Sequence, residues 1–390
     1  MVTKPMRIAI LTTDNREGIR DYTRQEPILG HAPEALLQGL VAMPDVEVHL
    51  VACLKQPVNS PEKIAPNIFY HSLIVPKIGW LRTGYQGCIR AVRKKLKEIQ
   101  PDIVHGQGTE RDCALSAVFS GFPNVLTLHG NMTAIAEVYH APPGSFHWLA
   151  ARLETVALKK TGGVFCNSAY TERLVTPRTQ KTWRVPNALR LDFFAPPPKK
   201  NPGGAPILLS VGVTEPRKQQ LELIEVAHRL HQRGLKLELH IAGDRAAHTD
   251  YGEKFSRALA AAERAGYARH LGQLSTSLLV TTMDAAGALI HFPTEEAFGL
   301  VVAEALARNL KFFGAATGGV GDIAAGVAGT ELFPPQDFTA LENAIARWLE
   351  AGCPPPPDSA AIMRERYHPT IIAQRHIEIY RGIISRGGKF

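Results

Sequence analysis

The chain has 390 residues, with 44 Lys+Arg against 36 Asp+Glu and a formal charge of +8. Hydrophobic residues make up 45% and charged residues 21%, proportions that exclude a disordered or fibrous chain. No apolar run approaches the ~18–20 residues that span a bilayer, and Met1 to Arg7 lacks the apolar core of a secretory signal.

The five cysteines, Cys53, Cys88, Cys113, Cys166 and Cys353, are scattered and form no CxxC pair. Neither a disulfide framework nor a zinc site is expected from that spacing. At about 100–200 residues per domain, the length predicts two domains, and the reading is of a cytoplasmic protein. The charge is uneven: residues 1–195 hold 23 bases and 16 acids, whereas residues 196–390 hold 21 and 20. A polyanion partner is conceivable, but an excess this local argues against nucleic acid.

Short apolar runs alternate with helical patterns from end to end. The first half predicts strands at Arg7–Leu11, Val46–Cys53, Asp102–His105, Asn124–Leu128, Gly163–Cys166 and Trp183–Val185. The second predicts Ile207–Val211, Leu237–Ala242, Gly287–Phe292, Lys311–Gly314 and Glu331–Phe333. Many are continuously apolar, as parallel strands buried on both faces are. Helical patterns include Gln86–Ile99, Lys218–Gln232, Leu300–Arg308 and Phe338–Glu350. This alternation predicts a doubly wound α/β fold. The Pro- and Gly-rich run between Phe194 and Pro206 reads as a linker. The expected domains are residues 1–195 and 207–368, joined by 196–206, with a final helical segment at 369–390. Two such units facing each other would make a cleft, a default place for a ligand.

The most informative string runs from His291 to Ala307. A strand ends at Phe292, a polar turn follows, and a helix begins near Phe298, Gly299 and Leu300. Free N–H groups at that helix start suit a phosphate, and Gly299 admits it close to the backbone. Glu296, just before the helix, is able to accept from two sugar hydroxyls. Glu304 interrupts an otherwise apolar helix, which favours function over a solvated position.

Glu296-x7-Glu304 with Phe298-Gly299-Leu300 resembles the E-x7-E motif of family 4 glycosyltransferases, which have the GT-B fold. Other pieces follow in the family's order: Ser210 to Gly212 with Pro216-Arg217-Lys218, His240 to Asp244, Thr317 to Ile323, and Val185 to Asn187 with Leu191 to Phe194. Thr127 to Gly130 and Cys166 to Ser168 match less specific signals. The resemblance covers roughly residues 100–385. It implies two Rossmann-like domains facing across a cleft, with a C-terminal helix crossing back to the N-domain. It also implies roles: Glu296 holds donor-sugar hydroxyls, Glu304 binds the ribose, and Lys218 neutralises the diphosphate. Gly212 allows close backbone approach, and His129 orients the sugar. Family members transfer with retention from a nucleotide-diphosphate sugar, and no nucleophile is assigned. Other readings left standing are a GT-B epimerase or phosphorylase, and a catalytically silent binding protein.

Two departures matter. Val213 stands where the family often has Arg; Arg217 either supplies that charge or points to solvent. The loop after the first strand lacks the usual glycine pair, so the acceptor is not carried over. Its charge suggests that Asp14, Arg16, Arg20 and Asp21 contact the acceptor, with Gly30 following; a solvated loop is the alternative. His105 either touches ligand or is a structural histidine. No Asp-x-Asp and no His/Cys cluster of ligand spacing occurs, so no metal and no cofactor are expected. The absence of a Walker A string and of an intact GxGxxG disfavours a kinase or dehydrogenase.

Lys77 to Lys97 holds Lys77, Arg82, Arg90, Arg93, Lys94, Lys95 and Lys97 with no acid. Tyr85, Cys88, Ile89, Val92, Leu96 and Ile99 form one apolar face at helical spacing. The segment reads either as peripheral contact with an anionic membrane or a polyphosphate-bearing acceptor, or as a solvated helix packed on the sheet, which is the simpler reading.

Overall fold

The computed structural model describes residues 4–196, 204–244 and 249–385. It contains two compact units: residues 1–190 with 367–390, and residues 191–366.

Unit 1 is built on strands β1 (Met6–Leu11), β2 (Val46–Leu54), β3 (Lys63–Ala65), β4 (Ile68–Ile74), β5 (Ile103–Gln107), β6 (Asn124–Leu128), β7 (Val164–Cys166) and β8 (Thr182–Arg184). They form one sheet in the order β3-β4-β2-β1-β5-β6-β7-β8. The β3/β4 pair is antiparallel, and the β1/β2, β1/β5 and β2/β4 pairs are parallel. Unit 2 carries β9 (Ile207–Val211), β10 (Glu238–Ala242), β11 (Ala268–Gly272), β12 (Ala288–His291), β13 (Lys311–Ala315) and β14 (Thr330–Phe333). Their order is β11-β10-β9-β12-β13-β14, with every pair parallel. The order reverses direction at β9, and ligands of such sheets bind beyond the carboxyl ends of the strands at that switch.

The central strands are the ones sequence predicts. Ile8 to Leu11, Val125, Leu126, Leu208 and Leu209 are buried. The strands β3, β4 and β11 were not predicted. They lie at or beside sheet edges, where one face or one side stays open, so the continuous apolar run is missing. β11, for instance, reads Ala-Arg-His-Leu-Gly.

The last helix, Pro369–Ser385, belongs to unit 1 and buries Ile372, Ala373, His376, Ile377, Tyr380 and Ile383. It sits on the helix His31–Val41 at Gly39, where any side chain would collide with the Pro369 carbonyl. Unit 1 ends at Arg190 rather than at 195, because the turn Leu191–Phe194 belongs to unit 2. Arg308 donates to the Phe193 carbonyl at 3.4 Å, and Arg364 donates to that of Phe194 at 2.6 Å. The middle of the expected linker, 197–203, lies outside the described residues. No helix among the described residues is long and apolar enough to cross a membrane.

Candidate functional site

In unit 2 the polar side chains gather at the carboxyl ends of β9 and β12. The helical pattern expected from Lys218 starts later. Pro216–Lys218 is a 3-10 turn, Gln219 is left-handed at φ 56, and the α-helix begins at Gln220. Lys218 is thus presented from a turn. Its Nζ donates to Glu296 Oε2 at 2.5 Å. His291, the last residue of β12, donates from Nε2 to the same oxygen at 3.0 Å. A carboxylate only accepts, so this nitrogen carries the proton. Burial alone would raise the Glu296 carboxyl, but the Lys218 charge and the His291 bond hold it well below the usual range. Burial lowers the His291 imidazole, with Glu296 opposing, so the ring is neutral near pH 7.

The loop bearing Glu296 is fixed by backbone packing. Gly319 N–H donates to the Glu296 carbonyl at 2.9 Å. A Cβ on Gly318 would collide with that same carbonyl, and one on Gly319 would lie 2.6 Å from the Ala297 oxygen. This explains the glycine pair in Thr317-Gly-Gly-Val-Gly. Gly299 takes φ 95 and opens the helix Leu300–Ala307. Phe298 is buried and Leu300 half-buried. Glu304 is buried at 3% exposure, so it is no solvated helix residue. Gly212 lies past the end of β9 at φ 151. Val213 is exposed at 53%. Arg217 takes neither expected course: its guanidinium meets Glu215 at 2.7 Å and Glu295 at 3.3 Å, and donates to the Glu295 carbonyl at 3.0 Å. Sequence reasoning missed His291, Glu215 and Glu295 as partners, although a histidine ending a strand five residues before Glu296 was a usable signal.

In unit 1 the structure divides the expected set. His129 follows β6, and its Nε2 meets Gln107 Oε1 at 2.8 Å. Burial lowers its pKa to about 4, partly opposed by Asn187. Acceptor contact by Asp14 and Arg16 is corrected, since both are fully buried. Arg16 Nη2 donates to Asp14 Oδ2 at 2.6 Å and to the Tyr70 hydroxyl at 3.1 Å. Its Nη1 reaches the Arg24 carbonyl at 2.7 Å and Ser60 Oγ at 2.9 Å. With Tyr70 also donating to Asp14 at 2.6 Å, this pair is an internal clamp on the loop. His105 is likewise corrected to a structural histidine. It is wholly buried, bonded to Tyr380 and, at 2.7 Å, to Thr127 Oγ1, and stacked on Phe165 at 5.1 Å. Arg20 is exposed and left-handed at φ 57. Asp21 accepts from Thr23 Oγ1 at 2.6 Å in a local turn, and Gly30 caps the helix His31–Val41.

Cys53, Cys88 and Asp112 gather in the core of unit 1, their donor atoms within 4.8 Å of one another. Spacing along the chain did not reveal this. Cys53 is raised well above the usual thiol range by its bond to Cys88 and by burial, and burial raises Asp112.

Family models match both halves of the chain: "Glycosyltransferase Family 4" over residues 34–193 and "Glycosyl transferases group 1" over residues 193–366. No curated protein matches the chain in sequence. Among solved structures, it resembles sucrose-phosphate synthase from Thermosynechococcus elongatus, with TM-score 0.77 and 18% identity over 98% of this chain and 100% of that one. It also resembles Anabaena HepE in complex with UDP and glucose, with TM-score 0.71 and 16% identity over 97% and 100%. A glycosyltransferase from Rickettsia africae gives TM-score 0.67 and 13% identity over 97% and 99%.

Proposed function

Because the chain belongs to the family 4-like glycosyltransferases of GT-B fold, we propose that it moves a sugar from a nucleotide-diphosphate sugar to an acceptor hydroxyl, with retention and without a metal. The observation that carries this reading is the Lys218–Glu296–His291 group at the carboxyl ends of β9 and β12. In the reaction the bond between the anomeric carbon and phosphate breaks, and its electron pair stays with the diphosphate. A bond forms from that carbon to the acceptor oxygen, and one proton is released.

Charge therefore grows on the leaving diphosphate, where a fixed cation stabilises the transition state most. Lys218 fills that role. Its ammonium has three donors, so it is able to keep Glu296 while engaging phosphate. Glu296, ionised and held through Oε2, accepts sugar hydroxyls through Oε1. Glu304 binds ribose hydroxyls, while Gly212 and the Phe298-Gly299-Leu300 turn let the diphosphate approach backbone N–H groups. Neutral His129 orients the donor sugar. The neighbour bound to UDP and glucose supports a uridine nucleotide as the first donor to try. A cytoplasmic setting fits a nucleotide-sugar user.

The test is a thermal-shift screen against UDP-, GDP- and ADP-sugars followed by turnover assays. A ligand at a hundred times its Kd stabilises by about 2.7 kcal/mol. Lys218→Ala and Glu296→Ala are each expected to cut turnover strongly while keeping the fold. EDTA is expected to leave turnover unchanged, and product NMR to show the donor's anomeric configuration. Near-normal turnover in both variants would refute the site. Phosphate-dependent turnover would replace the reading by a phosphorylase, and isomerisation without acceptor by an epimerase. Donor binding with no turnover would make the chain a silent binding protein.

A further inference from the structure

We infer that unit 1 docks on an anionic lipid bilayer through the turn Lys77–Gly79 and the outer stripe of the helix Gln86–Ile99. That helix satisfies its packing on one face, burying Cys88, Ile89, Val92, Leu96 and Ile99. Arg90, Arg93, Lys94 and Lys97 follow at spacings of three, four and seven, which places them on one stripe, and all four are exposed. Lys77 and Arg82 are exposed as well. The nearest acid, Glu98, is taken by Lys95 at 2.5 Å. None of these six cations is ion-paired with a described residue.

A solvated helix accounts for the charges but not for the apolar side chains beside them. Ile78 is 77% exposed and Ile74 55% exposed. Their position is built rather than incidental. A Cβ on Gly79 would lie 2.8 Å from the Gly87 Cα, and one on Gly87 would lie 2.6 Å from the Gly79 Cα. Only this glycine pair lets the Ile78 turn seat on the helix. Gly87 precedes Arg90 by three residues and Lys94 by seven, so the turn sits at the head of the cationic stripe. An apolar tip next to a basic stripe suits a bilayer: cations meet anionic headgroups and the apolar side chain enters the interface. A soluble polyanion would use the cations and gain nothing from Ile74 and Ile78. Ile74 also ends β4, on the same carboxyl edge of the parallel strands as His129 after β6. Resting on the transfer reading above, this makes the acceptor a membrane-borne, amphiphilic molecule.

The experiment is co-sedimentation of the full chain with vesicles of equal phosphatidylglycerol and phosphatidylcholine, against phosphatidylcholine alone, at about 0.1 M salt. Partition is expected only to the anionic vesicles, with release at high salt as the Debye length shrinks. Each neutralised cation near the surface weakens partition by about fivefold. R90Q/R93Q/K94Q is therefore expected to lose on the order of a hundredfold, and I78S severalfold, with melting temperatures unchanged because all four side chains are exposed. Failure of the unmodified chain to partition would overturn the inference, as would retention by the triple variant. Binding of tripolyphosphate without vesicle binding would also overturn it, in favour of a soluble polyanion. Nucleotide-sugar binding measured on the same samples reports separately on the transfer reading.

Discussion

Replacing Gly318 by Ala tests whether the glycine pair positions the loop that bears Glu296. Gly318 stands at φ +57, where an L-residue costs about 1–2 kcal/mol. Its new Cβ would also collide with the Glu296 carbonyl, a backbone atom that cannot rotate away; overpacking of that kind costs about 1–3 kcal/mol. A total near 3 kcal/mol lowers the melting temperature of a unit the size of residues 191–366 by about 6–12 °C. Because the displaced atom belongs to Glu296, turnover is expected to fall by about a hundredfold, as for a reacting group misplaced by about 1 Å.

Two controls separate the causes. Gly319→Ala carries no φ penalty, since φ is −79, yet its Cβ would sit 2.6 Å from the Ala297 oxygen; it is expected to fall between wild type and G318A. Gly321→Ala meets nothing within 4 Å and lies in the helix Val320–Ala324, so it is expected to be neutral or slightly stabilising. Differential scanning calorimetry and donor turnover read all three. G318A melting and turning over like wild type would refute the reasoning.

His291→Ala removes the 3.0 Å bond to Glu296, and a bond to a charged group is worth about 1.5–3 kcal/mol. Turnover is expected to fall about 10- to 100-fold and the acidic limb of kcat/KM to move to higher pH, because Glu296 loses a contact that holds its pKa down; an unmoved limb would count against a positioning role. Asp14→Asn leaves Arg16 buried opposite no charge, which costs about 3–5 kcal/mol, whereas Asp21→Asn, at a half-buried surface turn, is expected to cost little; urea melts compare them, and equal stability would reopen acceptor contact for Asp14. His129 and His376 are each lowered from 6.5 to about 4 by burial. Their stabilisation is full above the unfolded value of 6.5 and is lost as pH falls towards about 4. The urea midpoint is therefore expected to drop between pH 7 and pH 5, and an unchanged midpoint would refute it.

The sequence was most legible where one local rule dominated. Strands buried on both faces must be continuously apolar, so β1, β6, β9 and β12 were found, while β4 and β11 at the margins were not. A charged pair such as Asp14 and Arg16 reads locally as solvated, because the partner that completes its burial is Tyr70, more than fifty residues away and on a strand that was not predicted. The same limit governs the donor turn. Local reasoning offered Arg217 two courses, replacement of the charge missing at Val213 or exposure to solvent. The fold takes a third, setting Arg217 between Glu215 and Glu295. A guanidinium already shared by two carboxylates brings no net positive charge to a phosphate. Among the described residues it is Lys218 that reaches the Glu296 carboxylate, and its charge is matched there by one acid rather than two. On the transfer reading proposed above, neutralisation of a diphosphate at this turn would start from Lys218, and a second cation engineered at Val213→Arg would act beside it rather than in place of Arg217.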